Sequence, residues 1–250
     1  MKNKYLINLN KIEFVTTLAC TGRCKHCSEG EHKLRDVSIN PSLATDAVRK
    51  ISKEYDIKTL LVFGGEPLLY PDVAETIIAA GKEAGIPKRQ IITNGYFSKD
   101  TAIIREVAKR LYAAGVNDLL LSVDAFHEET IPLEVVKKFA REAKSVGLPI
   151  RLQPAWLVSR QDKNPYNLKT REIIDRFSSL SIPVADGNIV YPEGNVVKYL
   201  SEYFIEKSPI NPYTEDPCDV KCLSFSPNGD VLGGNVYKND IIEIIKNYTP

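Results

Sequence analysis

The chain has 250 residues, a formal net charge of +1, 43% hydrophobic and 26% charged residues, which is the composition of an ordinary globular protein. So neutral a balance gives no electrostatic reason to expect nucleic acid or an anionic membrane as partner. No apolar run approaches the roughly 20 residues of a membrane span. The opening MKNKYLINLNK lacks the apolar stretch of a signal peptide, so a cytoplasmic protein with no membrane attachment is expected.

A strand–helix alternation runs along most of the chain. KIEFVTT (11–17) reads as a strand, and Asn40-Pro41 as a capped start to the helix LATDAVRKISKEY. TLLVF (59–63) is a buried strand, and DVAETIIAAGKEAG a helix stopped at Gly85. QIITN (90–94) is the third strand, and the helix 100–114 ends at Gly115. DLLLSVD (118–124) is the fourth, and the helix 133–146 ends at Gly147. PIRLQ (149–153), a helix over 170–180, the strand NIVY (188–191) and the helix NVVKYLSEYFIEK complete six βα units. Such units with short loops imply an α/β fold with a parallel sheet. Six are too few for a closed eight-stranded barrel. A partial barrel and a doubly wound sheet both fit, and either puts chemistry at the C-terminal ends of the strands.

Pro209, Pro212 and Pro217 mark a change of character. CLSFSPNGDVLGG then reads as a β-hairpin turning at Asn228-Gly229, and 240–248 as a short closing helix. The expected division is a core over 1–207 and a small extension over 208–250.

Three of the five cysteines lie within eight residues, in Cys20-Thr-Gly-Arg-Cys24-Lys-His-Cys27, directly after the first strand. A cluster this tight points to metal rather than a disulfide framework. Four thiolates saturate a [4Fe–4S] cluster; three leave one iron open to a further ligand. The same spacing also suits a structural zinc knuckle with His26 or His32 as fourth ligand.

CTGRCKHC resembles the CxxxCxΦC signature of radical S-adenosylmethionine (SAM) enzymes, with His26 in the aromatic slot. Gly64-Gly65-Glu66-Pro67 resembles that family's GGEP motif, Thr93-Asn94-Gly95 its TNG segment, and Ser122-Val-Asp124 its S-x-D pattern, in the family's order and each at an expected strand end. The resemblance covers about residues 10–195. It implies a partial (β/α)6 barrel and a [4Fe–4S] cluster on Cys20, Cys24 and Cys27. It also implies an electron donor such as flavodoxin or ferredoxin, and reductive cleavage of SAM to a 5′-deoxyadenosyl radical that abstracts hydrogen from a substrate. His26, Gly64, Gly65, Glu66, Thr93 and Asn94 would then contact SAM, the glycines by close backbone approach and Glu66 by accepting from the methionine ammonium. Ser122, Asp124 and Arg151 would face its ribose and carboxylate. For Arg151 the alternative is an internal Asp–Arg ion pair. Val190, beside Tyr191 at the sixth strand, would lie near adenine.

Cys218-Asp-Val-Lys-Cys222 and the following hairpin resemble a truncated SPASM or twitch extension, in which further cysteines bind auxiliary clusters. Gly233 and Gly234 stand where the closing cysteine belongs, and two thiolates cannot complete a cluster. Cys218 and Cys222 are buried structural cysteines, remnants of a metal site, or catalytic residues with Cys222 as a hydrogen-atom donor. The extension favours a peptide or other modest-sized substrate and a maturase or epimerase. Alternatives are a glycyl-radical-enzyme activase and a zinc-binding interaction module. His127 is a candidate proton shuttle or a surface residue. Trp156 is a cavity wall or a core residue.

Overall fold

The computed structural model describes residues 2–31, 37–205 and 209–250. His32 and the 207/208 boundary lie outside the described residues. The chain runs β1 (Lys11–Val15), α1 (Pro41–Glu54), β2 (Thr59–Phe63), α2 (Pro71–Glu83), β3 (Lys88–Thr93), α3 (Thr101–Ala114) and β4 (Asp118–Ser122). There follow α4 (Ala125–Glu128), α5 (Leu133–Ser145), β5 (Ile150–Gln153), β6 (Ala155–Trp156), α6 (Pro165–Asp175), β7 (Asn188–Ile189) and α7 (Asn195–Tyr199). The end of the chain forms β8 (Cys222–Phe225), β9 (Asp230–Val231), β10 (Gly234–Asn235) and α8 (Ile241–Asn247).

The first five βα strands form a parallel sheet in the order β5-β4-β3-β2-β1, and β8 extends it beyond β1. The fold is α/β, an open parallel six-stranded sheet of the partial-barrel kind. Side-chain alternation divides each strand between two environments. Ile12, Phe14, Leu60, Val62, Ile91, Leu119, Leu121 and Leu152 join the helices in one buried cluster. The intervening residues, among them Glu13, Gln90, Asp118, Ser122, Arg151 and Gln153, line the opposite, inner face. Local signals fix the elements: Asn40 Oδ1 accepts from Ser42 N and Leu43 N ahead of Pro41, and Gly115 closes α3 at φ 101°.

Three elements differ from the sequence expectation. The sixth strand is only two residues long and pairs with β6, outside the main sheet. Pro154 separates β5 from β6, because a residue without an N–H interrupts the ladder. The expected helix over 195–207 stops at Tyr199, where Leu200 turns out of helical geometry (φ −136°, ψ 13°), and Ser201–Phe204 is a 3₁₀ turn.

The third difference is largest. β8 is not an arm of a hairpin with 230–235 but a parallel partner of β1, with Lys11 opposite Cys222 and Phe14 opposite Phe225. The antiparallel pair is β9–β10, around Leu232 and Gly233 at φ 50° and 72°. Leu223 and Phe225 are fully buried, and Phe225 stacks on Phe14 with centroids 4.6 Å apart. The segment expected as an appendage therefore completes the main core.

Candidate active site

The chain leaves β1 at Val15 and enters the cysteine loop, which lies at the C-terminal end of the sheet. Gly65 N donates to Thr17 O and Glu66 N to Ala19 O, both at 2.7 Å, so the end of β2 is laced to the loop. A Cβ on Gly64 would meet Thr17 O at 2.4 Å, and one on Gly65 would meet Ala19 O at 2.2 Å. The glycine pair is thus required by the chain's own close packing. The Gly64 and Gly65 carbonyls accept no hydrogen bond among the described residues.

Glu66 is fully buried. Oε1 accepts from Leu68 N at 2.9 Å and Thr93 Oγ1 at 2.7 Å, and Oε2 from Asn94 N at 2.8 Å. Burial pushes its carboxyl up to about 7, against the pull of these donors. Glu66 and Thr93, both expected at SAM, are hydrogen-bonded to each other. Asn94 does reach the loop: Nδ2 donates to Thr21 Oγ1 at 3.2 Å and lies 3.5 Å from Cys20 Sγ.

Cys20 Sγ accepts from Gly22 N at 3.3 Å, the Glu29 backbone lies beside Cys27, and Cys24 Sγ lies within 4.8 Å of a ring nitrogen of His26 and of His127. Burial pushes the Cys20 thiol up to about 12 and also raises that of Cys27. The segment after β4 clamps the loop from one side: Thr130 Oγ1 accepts from Arg23 N at 3.0 Å, and Glu129 pairs with Lys25 at 3.0 Å. The start of α7 clamps the other: Asn195 N donates to Cys27 O at 2.9 Å and its Nδ2 to Cys24 O at 3.0 Å. A Cβ on Gly194 would meet Cys27 O at 2.5 Å. Sequence reasoning missed Gly194 and Asn195, because Gly-Asn before a helix reads as a simple cap.

Asp124, expected at SAM, is 1% exposed. Oδ1 accepts from His127 N at 3.0 Å, Oδ2 from Ala155 N at 3.2 Å, and both oxygens lie 2.9 Å from His127 Nδ1. Burial opposes ionisation, but His127 outweighs it and holds the Asp124 carboxyl down at about 2. Burial likewise opposes the imidazolium, and Asp124 outweighs it, raising His127 well above its ordinary value. His26 is enclosed by Phe126 and His127 at centroid distances of 4.7 and 4.9 Å; burial lowers it to about 4. Val190 is buried against Cys24 and Phe126.

Arg151 also departs from its expected place. It faces inward, but its Nε and a terminal nitrogen donate to the two oxygens of Asp118 at 2.8 and 2.9 Å, at the start of β4. The internal ion pair is what forms. Ser122 is on the inner face at the C-terminal end of β4, opposite Gln153. Trp156 packs in the interior, 3% exposed, its Nε1 donating to Asp186 O at 2.8 Å.

Cys222 sits level with Lys11, about 13 Å of strand below Val15 at 3.3 Å per residue. Burial and the adjacent Glu13 push its thiol far up. It lies at the end of the sheet opposite the cysteine loop, which argues against the hydrogen-donor role expected of Cys222, and Cys218 is exposed.

One zinc ion would draw thiolates to about 3.8 Å from each other, given Zn–S bonds near 2.3 Å. Among the described residues Cys20, Cys24 and Cys27 do not gather within 4.8 Å; only Cys24, His26 and His127 do. The three thiols of this glycine-relieved loop match in number and kind the three that leave one iron of a cubane open.

Residues 14–153 match the profile of the radical SAM superfamily. The chain belongs to this superfamily. It is a radical SAM enzyme, of a superfamily whose cofactors are S-adenosylmethionine and a [4Fe–4S] cluster. Among curated relatives, it is 34% identical over 171 residues to a probable GTP 3′,8-cyclase of Sulfolobus acidocaldarius, covering 65% of this chain and 51% of the relative. It is 25% identical over 258 residues to one of Saccharolobus islandicus, covering 96% and 75%. The chain thus spans about half the length of the first relative. Of solved structures, SuiB of Streptococcus suis bound to S-adenosylmethionine superposes with TM-score 0.58 at 14% identity, covering 96% of this chain and 66% of that one. The enzyme anSMEcpe with bound AdoMet gives 0.59 at 12%, covering 94% and 79%. These likenesses show the fold. No described helix is long and apolar enough to cross a membrane.

Proposed function

We propose that Cys20, Cys24 and Cys27 hold the cluster, that SAM lies against the C-terminal ends of β2 to β4, and that a peptide or other modest-sized molecule is the substrate. Held there, the cluster and SAM would supply one-electron reductive cleavage of the sulfonium and, through it, abstraction of a hydrogen atom from the substrate. The observation that carries the reading is the loop's position beside the free Gly64 and Gly65 carbonyls. Two acceptors a few residues from the cysteines suit the SAM ammonium, a role earlier expected of the Glu66 side chain. Asn94 and Ser122 supply side chains on the same rim. A small one-electron donor, flavodoxin or ferredoxin in kind, would act from the loop's outer side. The reaction belongs in a reducing compartment, in keeping with a cytoplasmic enzyme.

A GTP 3′,8-cyclase reading is favoured by the curated relatives' names. Reduced, reconstituted protein should convert SAM to methionine and 5′-deoxyadenosine. GTP-dependent deuterium transfer from ribose to 5′-deoxyadenosine would favour the cyclase; transfer from a peptide would favour the maturase.

A further inference from the structure

The four-residue helix α4 carries a polar chain that the proposed chemistry leaves unused. Asp124 caps it and grips the first residues through both carboxylate oxygens. Nδ1 is held at 2.9 Å by that carboxylate, which fixes the His127 ring, and a ring nitrogen lies within 4.8 Å of Cys24 Sγ. His26 stands edge-on to it at 4.9 Å and an interplanar angle of 71°, which blocks rotation. Around Cys24 the wall is otherwise apolar: Phe126, Leu157, Val190 and Val196. Cys24 is buried and the His127 side chain is 18% exposed, so a hydrogen bond here is partly shielded from water and counts for more than at the surface.

A thiol can donate to an imidazole. A sulfur bonded to iron has no proton to give and can only accept. The Asp124–His127 pair is therefore arranged for one direction once Cys24 is a ligand: Nδ1–H to the carboxylate, Nε2–H to sulfur. Hydrogen bonds to ligand sulfur stabilise the added negative charge of a reduced cluster and raise its potential.

We propose that His127, oriented by Asp124, is a positioning residue that donates from Nε2 to Cys24 Sγ and sets the cluster's reduction potential. The proposal rests on Cys24 being a cluster ligand. Iron content and the EPR signal of the reduced cluster report on that assignment separately from the potential.

The test uses the whole chain, reconstituted anaerobically, as the unaltered protein, His127→Phe and His127→Gln. Phe keeps a ring without a donor; Gln restores an N–H at similar reach. All three should hold about four irons, as one cubane requires. Potentiometric titration followed by EPR should place the Phe form at a more negative potential, with Gln returned toward the unaltered protein. Of the exchangeable-proton couplings to the cluster, seen by pulsed EPR in H2O against D2O, the one from His127 should vanish in the Phe form while those from the backbone N–H groups at Cys20 and Cys27 remain. Should that form not hold iron, His127→Met carries the donor-free comparison. An unchanged potential in the donor-free form overturns the proposal. So does iron lost from both donor-free forms, which would make His127 a ligand or a fold-holding residue.

Discussion

The Glu66 carboxylate and the Thr93 hydroxyl meet at 2.7 Å with both side chains buried, so the rim of the candidate site is built from motif residues holding one another. Glu66→Gln would turn one acceptor oxygen into an N–H among three donors. Leaving buried donors unmatched costs about 1–3 kcal/mol. Denaturant unfolding of the cofactor-free protein should show that loss, and an unchanged midpoint would contradict it.

The same residue sets a pH dependence. Its folded value of about 7 lies above the ordinary 4.5, so the folded state binds more protons between the two. The contribution is fully present below about 4.5 and is lost as pH rises through about 7. Stability measured across this window should fall more steeply with rising pH in the unaltered protein than in Glu66→Gln. Parallel curves would show that Glu66 does not titrate there.

Arg151 offers a contrast between location and role. It faces inward but is held by Asp118 far from the rim, with its side chain 36% exposed. A partly exposed pair contributes little, about 1 kcal/mol or less. Arg151→Met should leave SAM affinity within about twofold by calorimetry. A tenfold loss, about 1.4 kcal/mol, would return Arg151 to the SAM site.

The end of the chain is predicted to be integral to the core. Phe225 is fully buried on Phe14, and truncating such a ring costs about 3–5 kcal/mol. Phe225→Ala should lower the unfolding free energy of the whole protein in one transition. A separate early transition, with the rest unaffected, would mean that 209–250 folds as its own unit.

These cases mark what the sequence carried. The five strands from β1 to β5 and their helices were legible because apolar alternation, the Asn40 cap and the stops at Gly85, Gly115 and Gly147 are local signals. β8 was not. Alternating Leu223 and Phe225 suit a hairpin arm and a parallel edge strand equally, and the partner that decides between them lies some two hundred residues away. At the site, spacing singled out the three cysteines, and parity placed Arg151 and Ser122 on the inner face. Parity says which face a side chain takes, not what lies across from it. Asp118 diagonal to Arg151, and His127 against Asp124, could be seen only once strand ends and loops were folded together.

The most direct test of the cluster assignment is iron and sulfide content after anaerobic reconstitution, with SAM cleavage measured on the same samples. The unaltered protein should hold about four irons and give 5′-deoxyadenosine, and Cys218→Ala with Cys222→Ala should match it. Cys20→Ala, Cys24→Ala and Cys27→Ala should each lose both. Full iron and cleavage in any one of the three, or one tightly held zinc in place of iron, would contradict the account.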